Sequence, residues 1–343
     1  MKSRLLFRLQ HHVLLVLLGS LLAACESPQS RFGDLPMEFT EAVSPEIAEP
    51  FYNWPQPPQR VENELRALAY AGKSVPVRWT RTEKGASGPR RYVIEFPTLQ
   101  ETVRFKWASV PRSLDGLNNS PRREVAAYEV QKLFLDPEDY VVPTTFLRCL
   151  TQVPDEPRWP GANCSLGAAA LWLQNVKPPV LLYDVSRFVK EPIYAYYMSN
   201  LNLFTYLIAH GDGNQNNFLV SDNDQRRQVF SIDNDVALGH IPNVFVLNWD
   251  VIRVPALRED SIGRLRRLER EDLDFLSAVA ELRLDDQRVY VSVSPGKNLD
   301  PESGALERDG TLQFGLTKAE IDGIWSRIQR VIADVDAGKI EVF

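Results

Sequence analysis

The sequence predicts an α+β fold, with a strand-rich first part and a mostly helical second part. Three observations carry this. Residues 75–109 hold three short runs rich in β-branched and aromatic residues, the last alternating apolar with polar. Residues 191–210, EPIYAYYMSNLNLFTYLIAH, form a long apolar and aromatic segment that stops at Gly211. The capping box Thr317-Lys-Ala-Glu320 opens a last helix that runs to about Ala337.

Taken in order, VPVRWTRT (75–82) and RRYVIEFP (90–97) flank EKGASG, so Gly85 and Gly88 sit in a hairpin turn. ETVRFKWAS (101–109) sets Val103, Phe105 and Trp107 against Arg104, Lys106 and Ala108, a period of two. SPRREVAAYEVQKLFL (120–135) begins Ser-Pro and places Ala127, Val130 and Phe134 on one helical face. VVPTTFLRCL and SLGAAALWLQNV read as two further strands. After the 191–210 helix, FLV (218–220) and QVFSIDND (228–235) are short enough to pair as a hairpin. Helices are expected around 259–268 and 271–282.

The N-terminus sets the address. Lys2, Arg4 and Arg8 precede VLLVLLGSLL, an apolar run of about ten residues, well short of the ~20 that span a bilayer. Leu22-Ala23-Ala24-Cys25 resembles a bacterial lipobox, which implies that 1–24 is a cleaved signal and Cys25 the lipidated N-terminus. The expected partner is therefore a membrane of the bacterial cell envelope, and Glu26 leans toward the outer one. Pro-, Ser- and Glu-rich residues through NWPQPPQ make 25–60 a flexible tether.

In an oxidising compartment Cys149 and Cys164 are expected to form a disulfide, closing a loop of about 15 residues and adding about 3 kcal/mol. No other cysteine or nearby histidine completes a metal site with them. Only His210 and His240 outlast the signal, which argues against a multi-histidine metal centre. Three basic residues leave with the signal, so the formal charge falls from −6 to −9, and sequence-independent nucleic-acid binding is not expected.

The stretch AHGDGNQNNFLV (209–220) is strongly polar beside a buried run. Asp212, Asn214 and Asn216 alternate like the first ligands of an EF-hand, but the sixth and twelfth positions are Asn217 and Asn223 instead of Gly and Glu. A bare turn is the second reading, since Asn, Asp and Gly favour turns. The third is phosphate transfer. That chemistry needs a carboxylate beside the attacking oxygen, an amide and a carboxylate on a metal, and a cation on the phosphates. Asp212 with Asn217 five residues on, Asp233, and Lys106 ahead of Glu124 supply these groups in order.

This order resembles the protein-kinase-like fold. REVAAYEV, HGDGNQNN and IDND are most similar to its atypical branches: the secreted Golgi-casein-kinase type, CotH spore-coat kinases, HipA-like kinases and phosphatidylinositol kinases. The resemblance covers roughly 75–240 and implies two lobes. These are a β-rich N-lobe with one main helix (61–176) and a mostly helical C-lobe (177–343). It implies that Lys106 holds the α- and β-phosphates of ATP and pairs with Glu124, with Glu129 a lesser candidate. Asp212 would be the catalytic base, and Asn217, Asp233 and Asp235 would ligate Mg²⁺ or Mn²⁺. Gly85 and Gly88 would cover the phosphates, and His210 would organise the loop. The chain departs from the family pattern in three places. No Gly-x-Gly-x-x-Gly precedes Lys106, Gly211 stands for the usual arginine, and Asn234-Asp235 stands for Phe-Gly. The expected partners are a nucleotide and an acceptor of unassigned class. Two further classes stay open: a non-catalytic, pseudokinase-type binding or scaffold lipoprotein, and a metal-stabilised structural lipoprotein.

Overall fold

The computed structural model describes residues 51–70, 77–81, 90–96, 101–116, 119–151, 153, 155–212, 214–226, 228–238 and 249–343. They belong to one compact unit, Met37–Phe343. Cys25, Gly85, Gly88 and His240 lie outside the described residues.

The first described helix is α1 (Pro58–Tyr70). Strands β1 (Val77–Arg81), β2 (Arg90–Phe96) and β3 (Glu101–Ser109) follow. Helix α2 (Pro121–Gln131) then precedes β4 (Thr145–Leu150) and β5 (Ser165–Leu171). The strands form one antiparallel sheet in the order β1-β2-β3-β5-β4. The period of two in β3 buries Val103, Phe105 and Trp107 and leaves Arg104 and Lys106 on the opposite face. Gly167 on β5 makes room for the Trp107 indole, since a Cβ there would lie 2.2 Å from the ring. Helix α2 starts with Pro121 at its first position, where a missing N–H costs nothing, and it buries Ala127 and Val130 as expected.

The tether was expected to reach residue 60, but Asn53 and Trp54 are buried. The Asn53 amide donates to the carbonyls of Gln174 (3.2 Å) and Asn175 (2.8 Å), and Trp54 meets Phe230 edge-on at 5.9 Å. Composition alone had made this stretch a linker; Trp54 packs because its ring finds an aromatic partner.

A three-stranded sheet joins β6 (Val176–Lys177), β7 (Phe218–Ser221) and β8 (Val229–Ser231), the last two as the expected antiparallel hairpin. Between β6 and β7 lie α3 (Val185–Lys190) and α4 (Pro192–Leu207), the second buried from Tyr194 onward. Strand β9 (Ala256–Leu257) and helix α5 (Glu259–Leu265) follow.

The expectation of a mostly helical remainder fails after residue 270. The helix placed at 271–282 is a 3₁₀ segment, Arg270–Ser277, that gives way to a strand. Strands β10 (Ala280–Leu284), β11 (Tyr290–Val293), β12 (Ala305–Arg308) and β13 (Thr311–Phe314) make an antiparallel sheet, ordered β11-β10-β13-β12. The reason lies at Glu281, which is buried in mid-strand, where its carboxylate accepts from the Gly296 N–H and the Gln313 amide. A buried acid hides the alternation that marks a strand. Residues Leu282, Tyr290, Leu312 and Phe314 of this sheet share a small core with Val125, Leu147 and the Cys149–Cys164 disulfide, which forms as expected.

Helix α6 (Lys318–Asp336) opens on the predicted box, with Thr317 Oγ1 accepting from the Glu320 N–H and Glu320 accepting from the Thr317 N–H. Strand β14 (Glu341–Val342) closes the chain by pairing in parallel with β9. Among the described residues no helix is long and apolar enough to cross a membrane. The fold is α+β, with several small antiparallel sheets.

Candidate active site

Three separate elements bring charge to one cavity of about 740 Å³. The open face of β3 contributes Lys106, the first turn of α2 contributes Glu124, and the chain leaving β8 contributes Asp233. Lys106 Nζ lies 2.6 Å from Asp233 Oδ1. Glu124 acts on Lys106 through space, so the direct partner of the lysine is the aspartate and not the expected glutamate. Glu129 is no alternative, because it bonds Lys132 at 2.8 Å.

Carboxylate oxygens of Glu124, Asp233 and Asp235 all fall within 4.8 Å of one another. Three acids against one lysine leave the group over-charged, and the carboxyls respond. Burial pushes Glu124 up to about 8; Lys106 opposes this, and Asp233 and Asp235 add to it. Burial and then Asp233 push Asp235 up to about 6, with Asp212 contributing. For Lys106 burial works downward, but Glu124 and Asp233 outweigh it and its pKa is raised. Clustered hard oxygen donors of this kind suit Mg²⁺, Mn²⁺ or Ca²⁺.

The backbone that holds the acids is unusual. Asp233 sits at φ +67°, the left-handed region that a non-glycine residue occupies at a cost of order 1–3 kcal/mol. The next residue, Asn234, is buried and accepts from Ser231 Oγ at 2.7 Å, which braces the turn. Ala209, just before the His-Gly-Asp stretch, is also left-handed, at φ +45°.

The 209–217 segment joins the same structure through the main chain. The Ile232 N–H donates to the Asn217 carbonyl at 2.8 Å, and the Asn217 amide donates to the Asp212 carbonyl at 3.2 Å. Asp212 Oδ1 accepts from the Asn214 N–H at 3.3 Å. So Asp212 and Asn217 are tied to each other and to the strand end that carries Asp233. Neither lines the cavity that Lys106 and Glu124 line. His210 is fully buried, its ring centroid 5.5 Å from that of Phe218, and neither ring nitrogen has a hydrogen-bond partner. Burial lowers its pKa to about 4.

The rest of the cavity is largely apolar. Ala170 and Leu171 from β5, Leu219 from β7 and Ile232 just after β8 line it, with Trp172. Two features escaped the sequence reading. Glu124 was assigned to Lys106, on which its charge does act, and it is also a third carboxylate of the acid cluster. Arg104, two residues before Lys106, lines the same cavity; its i, i+2 spacing on β3 was the available signal. No family model and no curated protein matches the chain.

Proposed function

We propose that this chain is a lipid-anchored, extracytoplasmic phosphotransferase of the protein-kinase-like fold, using ATP with Mg²⁺ or Mn²⁺. The carrying observation is the convergence of Lys106, Glu124 and Asp233 on one cavity whose remaining walls are largely apolar, with Asp235 within 4.8 Å of the other two carboxylates. Charged groups within largely apolar walls suit a nucleotide, with phosphates toward Lys106 and the base against apolar wall. The two-lobed reading draws support from the five-stranded sheet with α2 on one side of the chain order and the three-stranded sheet with α4 after it.

In this reading Lys106 gives up Asp233 to meet the α- and β-phosphates. Asp233 and Asp235 would hold the divalent cation, with Glu124 as third carboxylate, and the chemistry it would supply is charge to offset the phosphates. Asp212 accepts the proton of the acceptor hydroxyl as that oxygen bonds the terminal phosphorus and the bridging P–O bond breaks. Asn217 keeps Asp212 in place through the 3.2 Å bond to its carbonyl. His210, neutral and enclosed, shapes the loop.

Two variants separate binding from chemistry. Lys106→Ala should weaken nucleotide affinity measured by calorimetry with Mg²⁺. Asp212→Asn should keep that affinity and lose transfer of labelled terminal phosphate, whether to protein, lipid headgroup, sugar or water. A wild type that binds nucleotide but transfers nothing to any of these supports the second reading, a binding or scaffold lipoprotein. That Asp212 does not line the cavity favours that second reading.

A further inference from the structure

Arg104 is the part of the cavity that the phosphate chemistry leaves unused. It stands two residues from Lys106 on the open face of β3, so both side chains leave the same side of the sheet. Their Cα atoms are separated by about 6.6 Å of strand. The two cations are not equivalent. Lys106 is neutralised by Asp233 and faces Glu124 and Asp235. Arg104 is exposed and has no carboxylate within ion-pair distance among the described residues. Its carbonyl accepts from the Trp172 N–H at 2.8 Å, which places it beside the cavity's one tryptophan.

Fold stability does not explain this guanidinium, because it closes no network among the described residues. The walls of the cavity it lines include Ala170, Leu171, Trp172 and Leu219. Guanidinium groups are planar and weakly hydrated, and they stack on π faces in a way an ammonium does not. We infer that Arg104 is a specificity-determining residue that stacks on the planar base of a nucleotide whose phosphates lie at Lys106. This rests on the nucleotide reading proposed above. The preferred ligand is therefore a nucleotide with an electron-rich ring, not a free polyphosphate.

The test uses the full-length chain in detergent with Mg²⁺, titrated calorimetrically with ATP and, separately, with inorganic tripolyphosphate. Arg104→Ala should weaken ATP binding about 2- to 30-fold, the range of a cation–π contact of ~0.5–2 kcal/mol. Arg104→Lys should fail to restore it, and tripolyphosphate should bind wild type and both variants alike. The inference is overturned if Arg104→Ala leaves ATP affinity unchanged. It also falls if Arg104→Lys restores ATP affinity in full, or if tripolyphosphate weakens as much as ATP, since either result makes Arg104 a phosphate cation. A wild type that binds neither ligand sinks the nucleotide reading as well; one that binds ATP regardless of Arg104 sinks only this inference.

Discussion

Two neighbouring clusters of charge on α2 are built on opposite terms. Arg122 is buried, and its guanidinium donates to Asp115 at 2.7 Å and to Glu320 at 2.5 and 3.0 Å, while Arg123 adds a 3.0 Å bond to Glu320. Two arginines meet two carboxylates, and Glu320 also caps α6. One residue further on, Glu124 belongs to a group of three acids and one lysine, half open to solvent and held on left-handed backbone at Asp233. The first cluster is balanced and closed, as a structural network must be to offset desolvation. The second is unbalanced and open, which stability alone does not call for and which a bound cation would correct. The contrast separates what holds α2 in place from what α2 presents.

Breaking the closed cluster should have the largest effect. Glu320→Ala leaves Arg122 buried without its main partner and removes one of the two bonds of the α6 capping box, so urea unfolding should show a loss of about 3–5 kcal/mol. The disulfide comes next: replacing Cys149 and Cys164 together by alanine should cost about 2–4 kcal/mol by the same measurement.

Breaking the open cluster should behave differently. Asp233→Ala removes an ion pair that is partly exposed on both sides, so it should change stability by no more than about 1 kcal/mol. Glu124→Gln relieves crowding among acids and should leave the metal-free protein at least as stable as wild type at pH 8. A loss above 3 kcal/mol in either variant would place this cluster with the structural one.

The smallest expected effect concerns pH. His210 has a pKa of about 4 in the folded chain against the ordinary 6.5, so between these values the folded state binds fewer protons than the unfolded one. Its contribution is therefore present above pH 6.5 and lost as pH falls toward 4. His210→Phe, which keeps a ring against Phe218, should flatten the acid side of the urea-midpoint profile over that window. An unchanged profile would mean that the acid limb has another source.

The parts of the fold that could be read in the sequence were those where one physical rule acts alone. The alternation of β3, the Ser-Pro start of α2, the apolar run of α4 and the Thr317 capping box each depend on local chemistry, and each is found. The parts that could not be read depend on distant partners. Glu281 hides a strand because its carboxylate is satisfied by Gly296 and Gln313. Trp54 turns the end of a linker into core because Phe230 is there to receive it. At the site, spacing led to Lys106 and Asp233, which do meet, and to Glu124, whose charge acts on Lys106 while the direct contact goes to Asp233. Asp233 meets the lysine from a left-handed turn, and no residue pattern announces that turn.

The most direct measurement is the thermal shift of wild type and Asp233→Ala with ATP and Mg²⁺ or Mn²⁺. A ligand at a hundredfold excess over its dissociation constant stabilises the state it binds by about 2.7 kcal/mol. The account predicts a clear rise in Tm for wild type that needs metal and nucleotide together and is absent in Asp233→Ala. No shift in wild type with either metal, or an equal shift in both proteins, would contradict it.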